Sequence, residues 1–395
     1  MTMIETAAQT LLDATRAILP IVKAGGDQGE RERRLPARTA RAMAEAGVCR
    51  MLAPRAVGGL EVDPITQLDV IEMLAHAEAS AGWVAQVYGS SSQLSGLVAP
   101  EVGWDMFGRN PNAIMSSTLS GPHGRARVVD GGFSVTGRWP FGSGCQNSDW
   151  LGFTVGVYVG DEPRLDEAGL PEQRVLIAPA SSAIIHDTWY VSGLRGTGST
   201  DVELRDVFVP NAWSFWWTET PPHPGPLYRH RWWLLAHGAQ RLGVARAMLE
   251  TVYDLAQVKT PVRGTNLIRD RSITQMQFAQ AEAICSSARA FLWETTRNLW
   301  EKLSAGEAAT MKDQALARLA NTNASVGAAQ VADLMFSAAG ATAIQEKSPI
   351  ERMWRDAHAA AASSTASIPT YEQWGKVLIH NDPESIPRQP GPPLL

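Results

Sequence analysis

The chain has 395 residues, 45% of them apolar and 19% charged, which is the composition of a folded globular protein and excludes a disordered one. Thirty-five basic against 40 acidic residues leave a net charge of −5 and no basic stripe, which argues against a nucleic-acid partner. Three widely spaced cysteines (Cys49, Cys145, Cys285) exclude a disulfide framework, and no apolar run reaches membrane-spanning length, so a cytoplasmic protein with no membrane partner is expected.

Residues 1–112 read as a helical domain. Leu11, Ala14, Ile18 and Val22 recur at helical spacing, and Pro36 to Gly47 carries Pro at a helix start and Gly at its stop. After a loop at Pro54–Gly59, a helix is expected from about Pro64 to Ala79, and another from about Ser80 to Val98 with Ser80 as its N-cap. Residues 113–212 change to a period of two. The stretches 125–130 and 133–138 flank Gly131-Gly132, a hairpin signal, and further strands are expected at 151–159, 174–178 and 201–209. These short strands in series point to a small antiparallel barrel or sandwich. Residues 213–395 open with an irregular, Trp- and Pro-rich stretch and return to helical spacing. Long Ala-rich runs at 278–300 and 315–339 suit the close approach of a helix bundle. The fold class is therefore α+β and multidomain, in the order helices, β-domain, helices.

Much familiar chemistry is missing. There is no GxGxxG after a strand, no Walker A and no G-x-S-x-G, and the eight histidines never fall at a short metal-ligand spacing. The reaction, if there is one, uses an organic cofactor. Three segments of the β-domain combine glycine, small hydroxyl residues and Trp: Ile114–Leu119, Gly137–Cys145 and Gly193–Ser199. Read alone, they fit ordinary β-turns or a backbone that approaches a planar heteroaromatic ligand. Fourteen tryptophans against six tyrosines give such a ligand flat walls to lie on.

The order of these motifs resembles the acyl-CoA dehydrogenase superfamily, and within it the two-component flavin monooxygenases that include 4-hydroxyphenylacetate 3-hydroxylase oxygenase components. The resemblance rests on Ala53-Pro54-x-x-x-Gly58-Gly59, Ser80–Val84, the Gly-x-Trp-x-Phe-x-Ser-Gly of residues 137–144, Gly193–Ser199, and Ser348-Pro349-x-x-Arg352-x-x-Arg355-Asp356. It implies a C-terminal four-helix bundle, a homotetramer, reduced flavin (FMNH2 or FADH2) and O2 as cofactors, and a separate NAD(P)H-dependent flavin reductase as partner. It implies that Ser143 bonds flavin N5, that Trp83, Trp139 and Phe141 flank the ring, that Ser117 or Ser116 faces substrate or flavin, and that Arg263 meets the flavin phosphate.

The resemblance also carries two departures. Where a dehydrogenase places its carboxylate base, this chain has Ser364, with Glu250 or Glu282 as substitutes from other helices. Where aromatic hydroxylases of the branch carry two histidines, this chain has Ser91 and Ser363, with His358 or His123 as relocated imidazoles. The expected activity is hydroxylation of a small aromatic substrate through a flavin C4a-hydroperoxide. The alternatives are N- or S-oxygenation, a dehydrogenase-like enzyme, or a flavin-binding paralogue without catalysis.

Overall fold

The computed structural model describes residues 3–119, 121–262, 264–363 and 368–380. Helices α1 (Met3–Glu32), α2 (Ala37–Glu45), α3 (Pro64–Ala77), α4 (Ala79–Ser92) and α5 (Pro100–Gly103) come first. Strands β1 (Met115–Thr118), β2 (Gly124–Val129), β3 (Gly132–Gly142), β4 (Trp150–Val159), β5 (Glu162–Pro163), β6 (Gln173–Pro179), β7 (Ile184–Ile185), β8 (Thr200–Pro210) and β9 (Ser214–Phe215) follow. Helices α6 (Trp233–Val258), α7 (Ser272–Ser304), α8 (Met311–Ala339), α9 (Pro349–Ala361) and α10 (Pro369–His380) complete the order. Among the described residues, no helix is long and apolar enough to cross a membrane.

Local chemistry sets the helix starts. Asp63 precedes Pro64 and accepts from the Ile65 and Thr66 amides at 2.9 and 3.0 Å, which fixes the start of α3. The cap of α4 lies two residues earlier than the sequence suggests. Glu78, not Ser80, accepts the Ala81 amide at 2.5 Å, because the helix already begins at Ala79. Helices α3 and α4 then pack almost backbone to backbone: a Cβ on Gly82 would lie 2.4 Å from Ala75 Cα.

The strands form one nine-stranded sheet, ordered β7-β8-β3-β2-β4-β6-β9, with β1 and β5 also on β4. The Gly131-Gly132 hairpin joins β2 to β3 with Val129 opposite Gly132. The sheet is mixed rather than purely antiparallel, because β1 and β2 both run parallel to β4. Neither parallel pairing is closed by a hairpin, so neither leaves a local sequence signal.

The N-terminal and C-terminal helices share one core, which runs from Leu11 through Tyr88 to Leu242 and Val331. The sheet has its own core around Trp139, Phe153 and Val202. Helix α4 crosses α6, held by Gln240 Nε2 donating to the Ala79 carbonyl at 3.1 Å, and its C-terminal end faces β1. The segments around Ser117, Ser143 and Ser199 meet at that junction.

Candidate active site

Three elements converge on Ser143. Strand β3 ends at Gly142, and the chain then turns through Gly144 in the left-handed region (φ 72°). There is no room for a side chain at Gly144, where a Cβ would lie 2.6 Å from the Tyr88 ring, and Tyr88 OH donates to the Gly144 carbonyl at 2.8 Å. From α4, Trp83 Nε1 donates to Ser143 Oγ at 3.1 Å. From the 193–199 loop, Ser199 Oγ lies 2.6 Å from Ser143 Oγ and 2.6 Å from Thr197 Oγ1. The loop is anchored in turn by Thr197 Oγ1 donating to the Leu194 carbonyl at 2.8 Å and by the Leu194 amide donating to Asp356 Oδ1 at 2.5 Å.

Proton counting gives this chain of hydroxyls a direction. Thr197 spends its proton on a carbonyl, so it must accept from Ser199. Ser199 therefore accepts from Ser143, and Ser143 accepts from the Trp83 indole. One lone pair on Ser143 Oγ remains unused, on a side chain that is 5% exposed. An N–H donor on a planar ring fits that acceptor.

The other expected residues are placed as follows. Phe141 stands 62% exposed at the rim of the sheet with φ 63°, its ring edge-on to Trp189 at 6.2 Å. Ser91 and Ser117 share a hydrogen bond at 2.7 Å, whereas Ser116 is turned into the fold and accepts from Ser148 Oγ at 3.0 Å. Trp139 is a correction. Its ring is fully buried 4.4 Å from Phe153 and its Nε1 donates to the Thr154 carbonyl at 2.8 Å, so it fills the sheet core and walls no cavity. His358 is directed to α8, where it meets Asp333 at 3.0 Å, and its ring lies tilted against Trp354 of its own helix at 4.5 Å. Ser363 follows the end of α9, its amide donating to the Ala360 carbonyl at 3.2 Å. Arg263 and Ser364 lie outside the described residues. The substitute bases are surface groups: Glu250 pairs with His76 at 2.8 Å and Glu282 with Arg246 at 2.6 Å.

The imidazole that packs against Trp83 is His237, from the first turns of α6, at 5.4 Å and edge-on. Its Nδ1 faces the Trp233 carbonyl at 2.9 Å, so Nδ1 carries the proton and Nε2 is an acceptor. Burial, reinforced by the charge of Arg241, lowers its pKa to about 3 and keeps it neutral. The sequence reading missed His237, Thr197 and Ser199. Thr197 and Ser199 lay within a segment already singled out, but His237 meets Trp83 only through the packing of α4 on α6.

Asp356 supports the loop and supplies a pH test. Burial, then neighbouring Glu78, push its carboxyl up to about 8, against the Leu194 amide that stabilises its charge. A carboxyl raised above its unfolded value of about 3.9 holds a proton the unfolded chain has released, so stability is greatest below that value. Stability then declines as pH rises to about 8, where the folded group ionises. Asp356→Asn keeps an acceptor for Leu194 and is expected to remove that slope, up to about 1.4 kcal/mol per pH unit. Melting temperatures measured across the interval check this.

Residues 8–97 match the family described as acyl-CoA dehydrogenase, N-terminal domain, and residues 235–367 the family described as acyl-CoA dehydrogenase, C-terminal domain. An indole-3-acetate monooxygenase of Pseudomonas putida is 32% identical over 382 residues, 95% of this chain and 94% of that one. The oxygenase subunit HsaA of a flavin-dependent monooxygenase from Mycobacterium tuberculosis is 29% identical over 390 residues, 95% of this chain and 93% of that one. The crystal structure of XiaF from Streptomyces sp., in complex with FADH2 and glycerol, superposes with a TM-score of 0.86 at 25% identity, covering 96% of this chain and 97% of that one.

Proposed function

Since this chain belongs to the flavin-dependent monooxygenases built on the acyl-CoA dehydrogenase fold, we propose that it is the oxygenase component of a two-component system and hydroxylates a small aromatic substrate. A separate NAD(P)H-dependent reductase delivers its reduced flavin, as the subunit naming of the HsaA relative suggests. The observation that carries this reading is the directed chain Trp83–Ser143–Ser199–Thr197, which leaves one acceptor position on Ser143 Oγ. Reduced flavin carries an N–H at N5 and fits that position as donor. When bound with O2, it supplies the transfer of one oxygen atom to the substrate, the other leaving as water.

The chain's own residues orient and protect. Ser143 accepts at the ring nitrogen, and Trp83 holds Ser143 in place from the α4 side. Phe141, at the sheet rim, offers the ring an apolar face. Trp83 and Trp233, both packed on the neutral His237, keep water from the reacting atoms. His237 Nε2 accepts from a substrate O–H or N–H without changing charge. Ser91, at one of the two positions where the resembled hydroxylases carry a histidine, presents a second hydroxyl pair with Ser117. The carboxylate a dehydrogenase needs is not at this site among the described residues, since Glu250 and Glu282 are engaged elsewhere at the surface.

We place the protein in the cytoplasm, where its three free, buried cysteines stay reduced, and as a homotetramer joined through the helices that leave Tyr253, Ile273 and Met276 exposed. The functional reading is tested with a flavin reductase, NADH, FAD or FMN and a panel of aromatic compounds. Substrate-dependent oxygen uptake with a hydroxylated product supports it. Flavin-independent behaviour across the panel overturns it.

A further inference from the structure

Several histidines of the chain sit against carboxylates. His76 meets Glu250 at 2.8 Å, His186 meets Glu203 at 2.7 Å and His358 meets Asp333 at 3.0 Å. His237 differs. It is 7% exposed, pairs with no carboxylate among the described residues, and carries an indole on each of two contacts, Trp83 at 5.4 Å and Trp233 at 6.0 Å. The Trp233 carbonyl accepts from His237 Nδ1 at 2.9 Å and from Gln86 Nε2 of α4 at 3.4 Å, so Nδ1 holds the one proton of the neutral ring. Nε2 makes no hydrogen bond among the described residues, yet it is not sealed from solvent. It is an acceptor without a donor, one indole away from Ser143, because Trp83 packs on His237 and donates to Ser143.

A histidine that acts as a base must keep the proton it takes, and a carboxylate behind the ring is the usual means. His237 has the opposite surroundings. Burial works first against its charge, and the charged groups that act on it are cations, Arg241 one turn further along α6 and Arg318 from α8. Helix α4 offers it only Trp83 and Gln86, neither of which titrates. With the pKa lowered to about 3, roughly one His237 in ten thousand is protonated at pH 7. Arg241 gives Nε and Nη2 to the Ala360 carbonyl at 3.2 and 2.7 Å, so its fork is engaged with α9 while the Nε2 lone pair of His237 stands open.

We propose that His237 selects the protonation state of the substrate: Nε2 accepts from an O–H or N–H on the aromatic ring, and the site takes that ring un-ionised while turning away its conjugate anion and the ether that lacks a donor. An anion would set its own lone pair against that of Nε2, and an ether would leave Nε2 unpaired. A site built around one such bond discriminates strongly against an analogue that cannot make it. The donor keeps its proton, so no group of the protein has to receive it. The inference rests on the oxygenase reading above and adds the form in which the substrate binds and the residue that reads that form.

The test uses 4-hydroxyacetophenone, whose neutral and ionised forms absorb at different wavelengths, and its methyl ether 4-methoxyacetophenone. Each is titrated without oxygen into the protein with reduced flavin, across a pH series, with absorbance reporting the bound form and tryptophan fluorescence the affinity. The neutral phenol is expected to bind at least about tenfold more tightly than its anion and than the ether. In His237→Ala both preferences are expected to fall to within about threefold. His237→Gln, whose side-chain oxygen is a neutral acceptor, is expected to retain part of them. In the unaltered chain, a bound phenol with the spectrum of its anion, equal affinity for phenol and ether, or no saturable binding of either compound overturns the proposal, and does so even if the variants fold poorly. If aromatic compounds are hydroxylated in that case, the oxygenase reading stands. Both preferences present and dependent on His237, without hydroxylation of any aromatic compound, support the role of His237 and overturn the oxygenase reading instead.

Discussion

Gly193→Ala is expected to destabilise the protein by about 2–3 kcal/mol and to take most of the oxygenation with it. A Cβ at this position would lie 2.2 Å from the Arg355 carbonyl oxygen and 2.5 Å from its carbonyl carbon, both backbone atoms of α9 that have no rotamer to yield. The loop must therefore retreat. Its next residue, Leu194, donates its amide to the buried Asp356, so retreat breaks that bond and leaves the carboxyl group without its donor. The same movement carries Thr197 and Ser199 away from Ser143. Thermal melts read the first effect, and hydrogen peroxide released per NADH consumed reads the second. A variant of unchanged melting temperature and unchanged coupling would show that the 193–199 loop does not support the site.

The second large effect is expected at Ser143 itself. Ser143→Ala removes the one acceptor the hydroxyl chain leaves open, while Trp83 Nε1 and Ser199 Oγ lose a partner each. A hydrogen bond of this kind contributes about 0.5–1.5 kcal/mol, so peroxide formed per substrate oxidised is expected to rise roughly 2- to 10-fold. Ser143→Thr, which restores an oxygen at the same position, is expected to recover part of the coupling. A shift in coupling that the threonine variant reverses separates positioning at the ring nitrogen from loss of fold. Unchanged coupling in the alanine variant would remove Ser143 from the site.

Much of this arrangement was legible in the sequence because it is local. The Gly131-Gly132 hairpin, the stop of β8 at Pro210 and the helix after Asp63 all follow from turn and cap chemistry within a few residues. The 137–145 and 193–199 segments stood out by their glycines and small hydroxyls, which also fit ordinary β-turns; it was the family resemblance that tied them to a flavin. Trp139 shows a signal present but misread. It shares the parity of Phe133 and Val135 along β3, so a period of two already directs it into the core. Phe141 shares that parity as well, yet it emerges at the surface. The pairing of β3 with β8 shifts register between Trp139 and Gly142, and the positive φ at Phe141 turns the side chain outward. No sequence period announces that reversal.

The remaining features depend on distant contacts. His237 reaches Trp83, and Asp356 reaches Leu194, only because separate helices pack on one another and on the loop. Arg231, on the approach to α6, and Arg318, from α8, line one small cavity together. In the sequence each is an ordinary basic residue, and only the lack of an ion pair among the described residues sets them apart.

With reduced flavin held at Ser143, this chain is proposed to transfer one oxygen atom from O2 to an aromatic ring. Turnover with a flavin reductase under oxygen-18 gas, followed by mass spectrometry of the product, tests it most directly. One labelled oxygen atom is expected in the aromatic product, with the labelled yield lower in Ser143→Ala. An aromatic product whose new oxygen comes from water, or none formed from any aromatic compound while reduced flavin is reoxidised at its free rate, would contradict it.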